Sequence, residues 1–412
     1  MAAASAFPYL ILGGGVAGIA AVDKLVRLKQ GDRVGLLSAE AELPYDRPPL
    51  SKEFLRGQME EPKLRYHDRG YYDRHGVTPL LGRRVTGIDP RGKTVSADGG
   101  PPIGYGKLLI ALGARPRRLE APGGGLGGVF YLRALDDSRA IRAAMAEARR
   151  AVVVGAGFIG MEVAAALAER GIAVTVLDVA DRLWPRVLDR RVAAIFEAHY
   201  RGRGVEFAFG DAVAAFEGAG GVVRAVRTTS GQTFPGDLAV VGIGTELPLE
   251  VVPEGAGIEL DRGIVVDRQM RTGHPDIFAA GDLAVYTDPV FGRRRRVEHW
   301  GHAQYGGGLA AQNMAGQPAE YELLTYFWSD TFDLHIESAG DETEYEAIAL
   351  RGDTEARRFT ACYLRGGRLV AYFQVNGEQP ERDALEQLIR SGRPLTQAQL
   401  EDEGLDLASL AG

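Results

Sequence analysis

Two segments of the chain each carry three glycines in the spacing G-x-G-x-x-G, namely Gly13, Gly15 and Gly18, and Gly155, Gly157 and Gly160. An apolar run typical of a strand precedes each motif, and a pattern rich in Ala and Val that is typical of a helix follows it. A turn of this kind brings the backbone N–H groups of a helix N-terminus close to a pyrophosphate. The sequence therefore predicts two dinucleotide-binding sites.

A carboxylate follows each motif at the distance expected for a ribose ligand. Glu40 lies 22 residues past the first motif and Asp178 lies 18 residues past the second. A carboxylate there accepts hydrogen bonds from a ribose 2′-hydroxyl and repels a 2′-phosphate, which favours NADH over NADPH at the second site. Arg182 and Arg186 leave this preference open, because an arginine here could pair with a phosphate or remain in solvent.

Two dinucleotide sites in one chain imply two different cofactors. A nicotinamide delivers two electrons as a hydride, and a flavin can accept the pair and release electrons singly. The sole cysteine, Cys362, excludes an internal disulfide, a CxxC pair and a Cys-ligated cluster. The seven histidines show no metal-ligand spacing. We expect an oxidoreductase that uses FAD and NADH and no metal.

Charge and hydropathy exclude other classes of protein. The 48 Lys and Arg against 55 Asp and Glu give a formal net charge of −7, so there is no overall positive field to hold nucleic acid or an anionic membrane. No uninterrupted apolar run is long enough to span a membrane. The N-terminal segment lacks the basic stretch of a signal peptide. We expect a cytoplasmic protein.

The elements around the glycine motifs follow a βαβ pattern. Residues 9–28 and 151–170 each contain a strand, the glycine turn and a helix, and second strands are predicted at Arg33–Glu40 and Ala173–Asp178. Toward the C-terminus aromatic and polar residues alternate as in antiparallel hairpins, and a helix is predicted over Glu378–Ser391. The sequence therefore predicts three parts.

A run of 11 residues after the first βαβ unit, E-L-P-Y-D-R-P-P-L-S-K at Glu42–Lys52, is long enough to be specific. Other segments that match the same family are LLIALGARPR (Leu108–Arg117), VVVGAGFIGMEVA (Val152–Ala164), VVGIGTELP (Val240–Pro248), DIFAAGD (Asp276–Asp282), VEHWGHAQ (Val297–Gln304) and YFWSD (Tyr326–Asp330). Over nearly its whole length the chain resembles the FAD-dependent NAD(P)H reductases of ferredoxins and rubredoxins. These are enzymes of the putidaredoxin-reductase type, within the glutathione-reductase-like superfamily.

The resemblance implies an α/β fold with two doubly wound Rossmann-like dinucleotide-binding domains and an α+β C-terminal domain. The NAD-binding domain is expected to be inserted in the FAD-binding domain. The expected boundaries are 1–113 and 238–318 for the FAD-binding domain, 114–237 for the NAD-binding domain and 319–412 for the C-terminal domain. We expect a monomer or a homodimer.

The resemblance also implies cofactor contacts, position by position. The cofactor-binding residues that follow from it are Gly13, Gly15, Gly18, Glu40, Arg47, Lys52, Val85, Gly113, Gly155, Gly157, Ile159, Gly160, Glu162, Asp178, Gly244, Asp282, Glu298, Trp300 and Trp328. Asp282 matches a carboxylate that binds the ribityl and pyrophosphate region of FAD. Glu298 and Trp300 match residues against the isoalloxazine. Trp328 matches the aromatic side chain that borders the nicotinamide pocket.

Lys52 and Glu162 are the residues that we predict to be catalytic. In the resemblance Lys52 matches a lysine near the flavin N5 edge, and Glu162 lies at the start of the helix that follows the second glycine motif. An ammonium near N5 stabilises the negative charge of reduced flavin, and a carboxylate can hold that ammonium in place. An ordinary ion pair between two domains is the alternative interpretation.

A docking surface for the electron acceptor is predicted at Arg293, Arg294, Arg295 and Arg296, which immediately precede the VEHW segment. The acceptors of the family are small acidic proteins, and a local basic patch can attract them although the net charge is negative. A solvated loop is the alternative interpretation of this run.

The function implied by the resemblance is that of an NADH-dependent ferredoxin reductase. Such an enzyme passes a hydride to FAD and then single electrons to a small [2Fe–2S] ferredoxin that serves an oxygenase, for example a cytochrome P450 or a ring-hydroxylating dioxygenase. The alternatives are a rubredoxin reductase, an NADH oxidase and an apoptosis-inducing-factor-like protein whose association is switched by redox state. Residues 38–42 read Ser-Ala-Glu-Ala-Glu, without the cysteine that thiol-dependent relatives place here, which disfavours thiol chemistry.

Overall fold

A computed structural model describes residues 5–411 apart from Arg186 and Glu254. Its helices are α1 Val16–Arg27, α2 Glu53–Arg56, α3 Arg69–His75, α4 Leu135–Met145, α5 Phe158–Glu169, α6 Arg190–Arg201, α7 Trp300–Met314, α8 Gln379–Ser391, α9 Gln397–Glu401 and α10 Leu407–Ala411. Its strands are β1 Ala6–Leu12, β2 Val34–Leu37, β3 Thr78–Leu80, β4 Val85–Asp89, β5 Thr94–Ala97, β6 Ile103–Ile110, β7 Arg115–Pro116, β8 Val129–Tyr131, β9 Arg150–Val154, β10 Ala173–Asp178, β11 Val205–Phe209, β12 Val213–Ala219, β13 Val222–Thr228, β14 Thr233–Pro235, β15 Leu238–Val241, β16 Thr245–Glu246, β17 Ile264–Val265, β18 Ile277–Ala279, β19 Ala284–Thr287, β20 Arg294–Arg295, β21 Tyr326–Thr331, β22 Leu334–Gly340, β23 Ala347–Asp353, β24 Arg358–Arg365 and β25 Arg368–Val375.

The chain divides into two compact units, each built from separate stretches of sequence. Unit 1 contains Met1–Asp46, Glu61–Arg115 and Glu246–Tyr326. Unit 2 contains Arg47–Glu60, Pro116–Thr245 and Phe327–Gly412. Lys52 therefore belongs to the same unit as the second glycine motif and the C-terminal strands. The domain boundaries expected from the sequence stay predictions.

Unit 1 is organised by a sheet with strand order β3-β2-β1-β6-β5-β4, in which β18 also pairs with β6. β1 pairs in parallel with β2 and β6, whereas β4 and β5 form an antiparallel extension. Leu10, Ile11 and Leu12 of β1 are fully buried, as expected for a parallel strand that is covered on both faces. The carboxyl end of β1 leads directly into the first glycine motif.

Small residues let α1 and α7 of unit 1 cross closely. A Cβ on Gly307 of α7 would lie 2.0 Å from the carbonyl oxygen of Ala17 in α1, which is shorter than any real contact. The neighbouring Gly308 is different, because its nearest heavy atom outside the helix, the Ala20 oxygen, would lie at 3.9 Å. The crossing at Gly307 therefore fixes α1, the helix that begins at the first glycine motif.

Unit 2 contains two main sheets. The first is parallel with order β11-β10-β9-β15-β8, and β9 leads into the second glycine motif. The second is an antiparallel sheet of C-terminal strands with order β21-β22-β25-β24-β23. Trp184 and Phe196 contact Phe373 of β25 with ring centroids 6.3 and 5.8 Å apart. Aromatic packing thus joins the C-terminal sheet to the dinucleotide-binding part of unit 2.

The expected α/β class, with two Rossmann-like parallel sheets and an added C-terminal sheet, is confirmed. Two element boundaries differ from expectation. The strand predicted at Arg33–Glu40 spans only Val34–Leu37, because the chain bends at Ser38, whose hydroxyl accepts a hydrogen bond from the Glu40 N–H at 3.3 Å. The helix predicted at Glu378–Ser391 begins at Gln379, with Glu378 as its N-cap.

Candidate functional site

The first glycine motif forms a tight turn whose outer glycines are required by the protein itself. Gly13 has φ +112°, and a Cβ there would lie 2.1 Å from the Ala111 carbonyl oxygen. A Cβ on Gly18 would lie 1.9 Å from the Gly13 oxygen. Gly15 differs, because its φ of −79° suits any residue and a Cβ would meet nothing within 4 Å. The open space at Gly15, at the N-terminus of α1, is what a pyrophosphate needs for close approach.

The second motif repeats this arrangement in unit 2. Gly155 has φ +108°, and its Cβ would lie 2.3 Å from the Gly242 oxygen. A Cβ on Gly160 would lie 2.0 Å from the Gly155 oxygen, whereas the nearest atom to a Cβ on Gly157 is 4.0 Å away. Gly157 is also the N-cap of α5 and makes no side-chain cap. Both turns therefore fit a dinucleotide pyrophosphate at the middle glycine.

The two predicted ribose carboxylates are held by local hydrogen bonds. Asp178 at the end of β10 accepts from the backbone N–H of Ala156 at 2.6 Å and of Ala180 at 2.8 Å, which fixes its carboxylate beside the second glycine turn. Glu40 accepts from the Tyr45 hydroxyl.

Arg182 donates to Asp181 at 2.9 Å and to the Pro185 carbonyl at 3.3 Å. Arg186, the other arginine considered as a phosphate partner, lies outside the described residues.

Lys52 and Glu162 lie together in unit 2, with 2.9 Å between Nζ and Oε1 and with side chains only 6% and 4% exposed. Glu162 also accepts hydrogen bonds from Ser51 Oγ to Oε2 at 2.5 Å and from Ser329 Oγ to Oε1 at 2.6 Å. Among the described residues Lys52 Nζ has no other polar partner, so two of its three donors remain for an acceptor on a ligand. Sequence reasoning predicted the pair but missed both serines.

Trp300, which is predicted to lie against the flavin, is held by a hydrogen bond, and Trp328, which is predicted to border the nicotinamide, is half-buried. In unit 1 the Trp300 indole donates to Asp46 Oδ1 at 2.9 Å, and the Tyr66 hydroxyl donates to the same oxygen at 2.7 Å. In unit 2 Trp328 is half-buried on β21. Asp46 was also missed from the sequence, although it lies inside the ELPYDRPPLSK segment that identified the family.

The remaining predicted cofactor residues are placed as follows. In unit 1 Val85 is buried at the start of β4, and Gly113 has φ +64°. In unit 2 Arg47 donates to the Arg133 carbonyl at 2.6 Å. Ile159 is 47% exposed at the start of α5, and Gly244 has φ +102° with nothing within 4 Å of a Cβ. Exposed apolar surface at Ile159 and open space at Gly244 are compatible with a bound coenzyme.

The arginine run of unit 1 is largely ion-paired. Arg294 contacts Glu259 at 2.5 Å, and Arg295 contacts the fully buried Asp288 at 2.9 Å. Arg296 donates to Glu298 at 2.7 Å and to the Asp282 carbonyl at 2.9 Å, so it connects two predicted flavin-site residues. Neutralisation by these acids weakens the field that the run can project.

The cysteine, the potential metal ligands and the buried histidine of the described residues have the following surroundings. Cys362 is fully buried, and burial raises the pKa of its thiol to about 12, which keeps it protonated and unreactive. No group of three or more potential ligands could hold a metal ion in the part of the chain that the structure describes. His302 is a buried structural histidine that stacks on Tyr286 and hydrogen-bonds to Tyr321. No described helix is both long and apolar enough to cross a membrane.

Residues 7–307 match the family described as pyridine nucleotide-disulphide oxidoreductase, and residues 326–411 match the reductase C-terminal family. The chain is 37% identical over 378 residues, 90% of each chain, to the 5,5′-dehydrodivanillate O-demethylase ferredoxin reductase subunit of Sphingobium sp.. Its structure is similar to the ferredoxin reductase for the CYP199A2 system of Rhodopseudomonas palustris, with TM-score 0.93 and 31% identity over 98% of this chain and 99% of that one. It is also similar to putidaredoxin reductase in its covalent complex with putidaredoxin, with TM-score 0.92 and 31% identity over 98% and 97% of the two chains. With two glycine turns that fit dinucleotides and these matches along its length, the chain belongs to the pyridine nucleotide-disulphide oxidoreductase family and is an oxidoreductase with FAD and NADH as its cofactors.

Proposed function

We propose that this chain is an NADH-dependent ferredoxin reductase of an oxygenase system, such as one built on a cytochrome P450 or a ring-hydroxylating dioxygenase. Bound FAD would take a hydride from NADH and pass electrons singly to a small [2Fe–2S] ferredoxin. The observation that carries the proposal is the repeated glycine turn with an open middle glycine, present in each unit of a chain that matches ferredoxin reductases over 90% or more of both lengths.

In unit 1 the residues would hold FAD. The uncapped backbone N–H groups at the start of α1 would bind the pyrophosphate at Gly15, and Glu40 would bind the adenosine ribose. Val85 and Gly113 would line this cofactor, and Asp282 would bind its ribityl region. Glu298 and Trp300 would lie against the ring, with Arg296 fixing Glu298 and Asp46 fixing the indole.

In unit 2 the residues would hold NADH. The N–H groups at the start of α5 would bind its pyrophosphate at Gly157, and Asp178 would bind the ribose hydroxyls. Ile159, Gly244 and Trp328 would border the coenzyme. Because Asp178 is fixed by two backbone N–H groups, its carboxylate is ready to accept from a 2′-hydroxyl and to repel a 2′-phosphate.

Lys52 is the proposed electrostatic residue of the reaction, and Glu162 holds it. The Lys52 ammonium keeps two donors for an acceptor on the flavin, and a positive charge there would favour the reduced, more negative form. The neighbouring Arg47 is held by the Arg133 carbonyl and is proposed as a further flavin contact.

The electron acceptor is proposed to be a small acidic protein that docks at Arg293–Arg296. Arg294 is 46% exposed and Arg295 only 11%, so the outer part of the run is the part that an acidic partner could reach. A cytoplasmic location and a monomeric or homodimeric state are parts of the same proposal.

Steady-state oxidation of NADH tests this function. Purified holoprotein is assayed with a panel of oxidised [2Fe–2S] ferredoxins, with rubredoxin and with ferricyanide, and NADPH replaces NADH in a parallel series. We expect turnover with ferricyanide, much faster turnover with NADH than with NADPH, and a clear preference for one ferredoxin. Preference for rubredoxin, or consumption of NADH only with oxygen, would replace the proposal by a rubredoxin reductase or an NADH oxidase.

A further inference from the structure

The Glu162 carboxylate in unit 2 is surrounded by hydrogen-bond donors from two other segments. Ser51 and Lys52 come from the segment Arg47–Glu60, and Ser329 comes from β21 of the C-terminal sheet. Ser51 donates to Oε2 at 2.5 Å, whereas Ser329 and Lys52 contact Oε1 at 2.6 and 2.9 Å. Ser51 is 2% exposed and Ser329 is 1% exposed. This is a buried polar cluster in which all three contacts to the Glu162 carboxylate are short.

We propose that Ser51 and Ser329 are positioning residues that fix the Glu162 carboxylate and, through it, the Lys52 ammonium, an inference that rests on the proposed function. Each hydroxyl donates to the Glu162 carboxylate, and Ser51 Oγ also lies 3.3 Å from the Pro48 carbonyl oxygen, which is a longer contact than the 2.5 Å to Glu162. Their effect on the reaction would therefore pass through the ion pair.

The ion pair between Lys52 and Glu162 would not by itself fix the orientation of either side chain. The terminal torsion of a glutamate is broad, so a carboxylate held by one ammonium can rotate and the lysine can follow it. Donors on both oxygens remove that freedom, and hydrogen bonds to an ionised acceptor are stronger than those between neutral groups. Lys52 is then held at one end while its two remaining donors stay directed away from Glu162.

Each serine is the chain neighbour of a residue assigned to a cofactor. Ser51 precedes Lys52, and Ser329 follows Trp328 on the same strand. Any shift of β21 would move Ser329 and Trp328 together, so the C-terminal sheet is linked directly to the predicted reaction centre. This gives the reductase C-terminal region a role in the NADH half-reaction in addition to packing.

A purely structural role is the competing explanation, because a buried carboxylate needs donors in any protein. Ser338 supplies the matched control. It is a buried serine of β22 in the same sheet, 3% exposed, and its hydroxyl donates to the Tyr372 carbonyl at 2.7 Å, with no link to Glu162. Ser338→Ala therefore removes one buried hydrogen bond from the C-terminal sheet and leaves the cluster intact.

The experiment compares Ser329→Ala, Ser51→Ala, Ser329→Thr and Ser338→Ala with the unaltered holoenzyme. Four quantities are measured: the thermal midpoint, the midpoint potential of bound FAD, and, under anaerobic conditions, the limiting rate of FAD reduction by NADH and the Kd for NADH. The potential is measured without turnover, so it reports on the charge around the flavin independently of activity.

We expect both Ser329→Ala and Ser338→Ala to lower the thermal midpoint, but only Ser329→Ala and Ser51→Ala to change the flavin. In these two variants the reduction equilibrium should shift three- to tenfold toward oxidised FAD. This shift makes the midpoint potential of bound FAD about 15–30 mV more negative for a two-electron couple. The limiting reduction rate should fall by a similar factor, while the Kd for NADH stays within roughly twofold. Ser329→Thr, which keeps the hydroxyl, should restore the potential.

Three outcomes would overturn the inference. In the first, Ser51→Ala and Ser329→Ala have the same FAD midpoint potential as the unaltered enzyme. In the second, Ser338→Ala shifts the potential as much as they do. In the third, Ser329→Thr shifts the potential as much as Ser329→Ala does. If Ser329→Ala does not fold, Ser51→Ala carries the same test. Failure of the proposed function gives a different result, because the unaltered enzyme itself would not be reduced by NADH.

Discussion

At the scale of single residues, Asp46 is a side chain with no role predicted from the sequence that nevertheless holds two predicted-site neighbours, Trp300 and Tyr66, in place. Its Oδ1 accepts from Trp300 Nε1 and from the Tyr66 hydroxyl, at 2.9 and 2.7 Å. Asp46→Ala should remove both bonds and lower the thermal midpoint by several degrees, since a hydrogen bond to a charged group contributes about 1.5–3 kcal/mol.

Asp46→Asn is the control for that variant, because an amide keeps one oxygen acceptor at nearly the same place. We expect its thermal midpoint to lie closer to that of the unaltered protein than to that of Asp46→Ala. Equal midpoints for all three proteins would mean that the Asp46 contacts do not stabilise unit 1.

His302 makes a prediction about pH. Burial is the main cause that lowers the pKa of His302 from 6.5 to about 3, and protonation of His299 and the charge of Arg295 act in the same direction. The unfolded chain therefore binds a proton at a pH where the folded protein does not. This contribution to stability is complete above about pH 6.5 and is lost progressively as the pH falls toward 3.

Urea titrations at several pH values between about 4.5 and 6 check this prediction. The free energy of unfolding should decrease as the pH is lowered. In His302→Gln the change of this free energy with pH should be smaller by about 1.4 kcal/mol per pH unit, the value for one proton. Identical slopes for His302→Gln and the unaltered protein would show that His302 is not the group responsible.

At the scale of elements, the crossing of α1 and α7 leaves no room for a side chain at Gly307 of α7 but leaves room for one at the adjacent Gly308. Gly307→Ala would place a Cβ 2.0 Å from the Ala17 oxygen, whereas the nearest atom to a Cβ on Gly308 is 3.9 Å away. We expect Gly307→Ala to lower the thermal midpoint and to lose FAD, because α1 must move. Gly308→Ala should be neutral or stabilising by up to about 1 kcal/mol, since Ala suits a helix interior better than Gly. The reverse order of stabilities would contradict the observed crossing.

The middle glycines of the two motifs allow the cofactor sites to be tested one at a time. Gly15→Ala should fold with an unchanged thermal midpoint as apoprotein but retain much less FAD, because its Cβ would occupy space that only a ligand uses. Gly157→Ala should keep its FAD and show a raised Kd for NADH. FAD content after gel filtration and NADH titration measure the two effects. Loss of stability in either apoprotein would mean that the glycine serves the fold.

Sequence patterns predicted the parts of the site that depend on local chain geometry. The two glycine turns, the strands before them and the helices after them follow from short-range spacing and apolar periodicity. The serines of the Glu162 cluster could not be predicted in this way. Ser329 lies 167 residues from Glu162 along the chain, and only the packing of the C-terminal sheet in unit 2 brings them together. The ion pairs of the arginine run also depend on distant residues, as in Arg294 with Glu259.

At the scale of the whole molecule, a net charge of −7 must be reconciled with an acidic partner. The proposed local attraction comes from Arg294, which is 46% exposed, and from the neighbouring Arg293, which is half-buried. The variant Arg293→Ser/Arg294→Ser should raise the KM for the ferredoxin roughly three- to tenfold and flatten its salt dependence, with ferricyanide reduction unchanged. Arg224→Ser/Arg227→Ser in β13 is the control, because it changes the net charge equally at exposed residues elsewhere. A similar rise in KM for both variants would indicate an effect of total charge alone.

Sequential-mixing stopped flow under anaerobic conditions tests the central claim most directly. The holoenzyme is mixed first with NADH and then with the oxidised [2Fe–2S] ferredoxin that the steady-state panel selects. We predict rapid loss of the oxidised FAD absorbance in the first step and rapid reduction of two equivalents of ferredoxin in the second. Fast reduction of FAD without transfer to any ferredoxin would contradict the assignment of the acceptor, and no reduction of FAD by NADH would contradict the two-cofactor account itself.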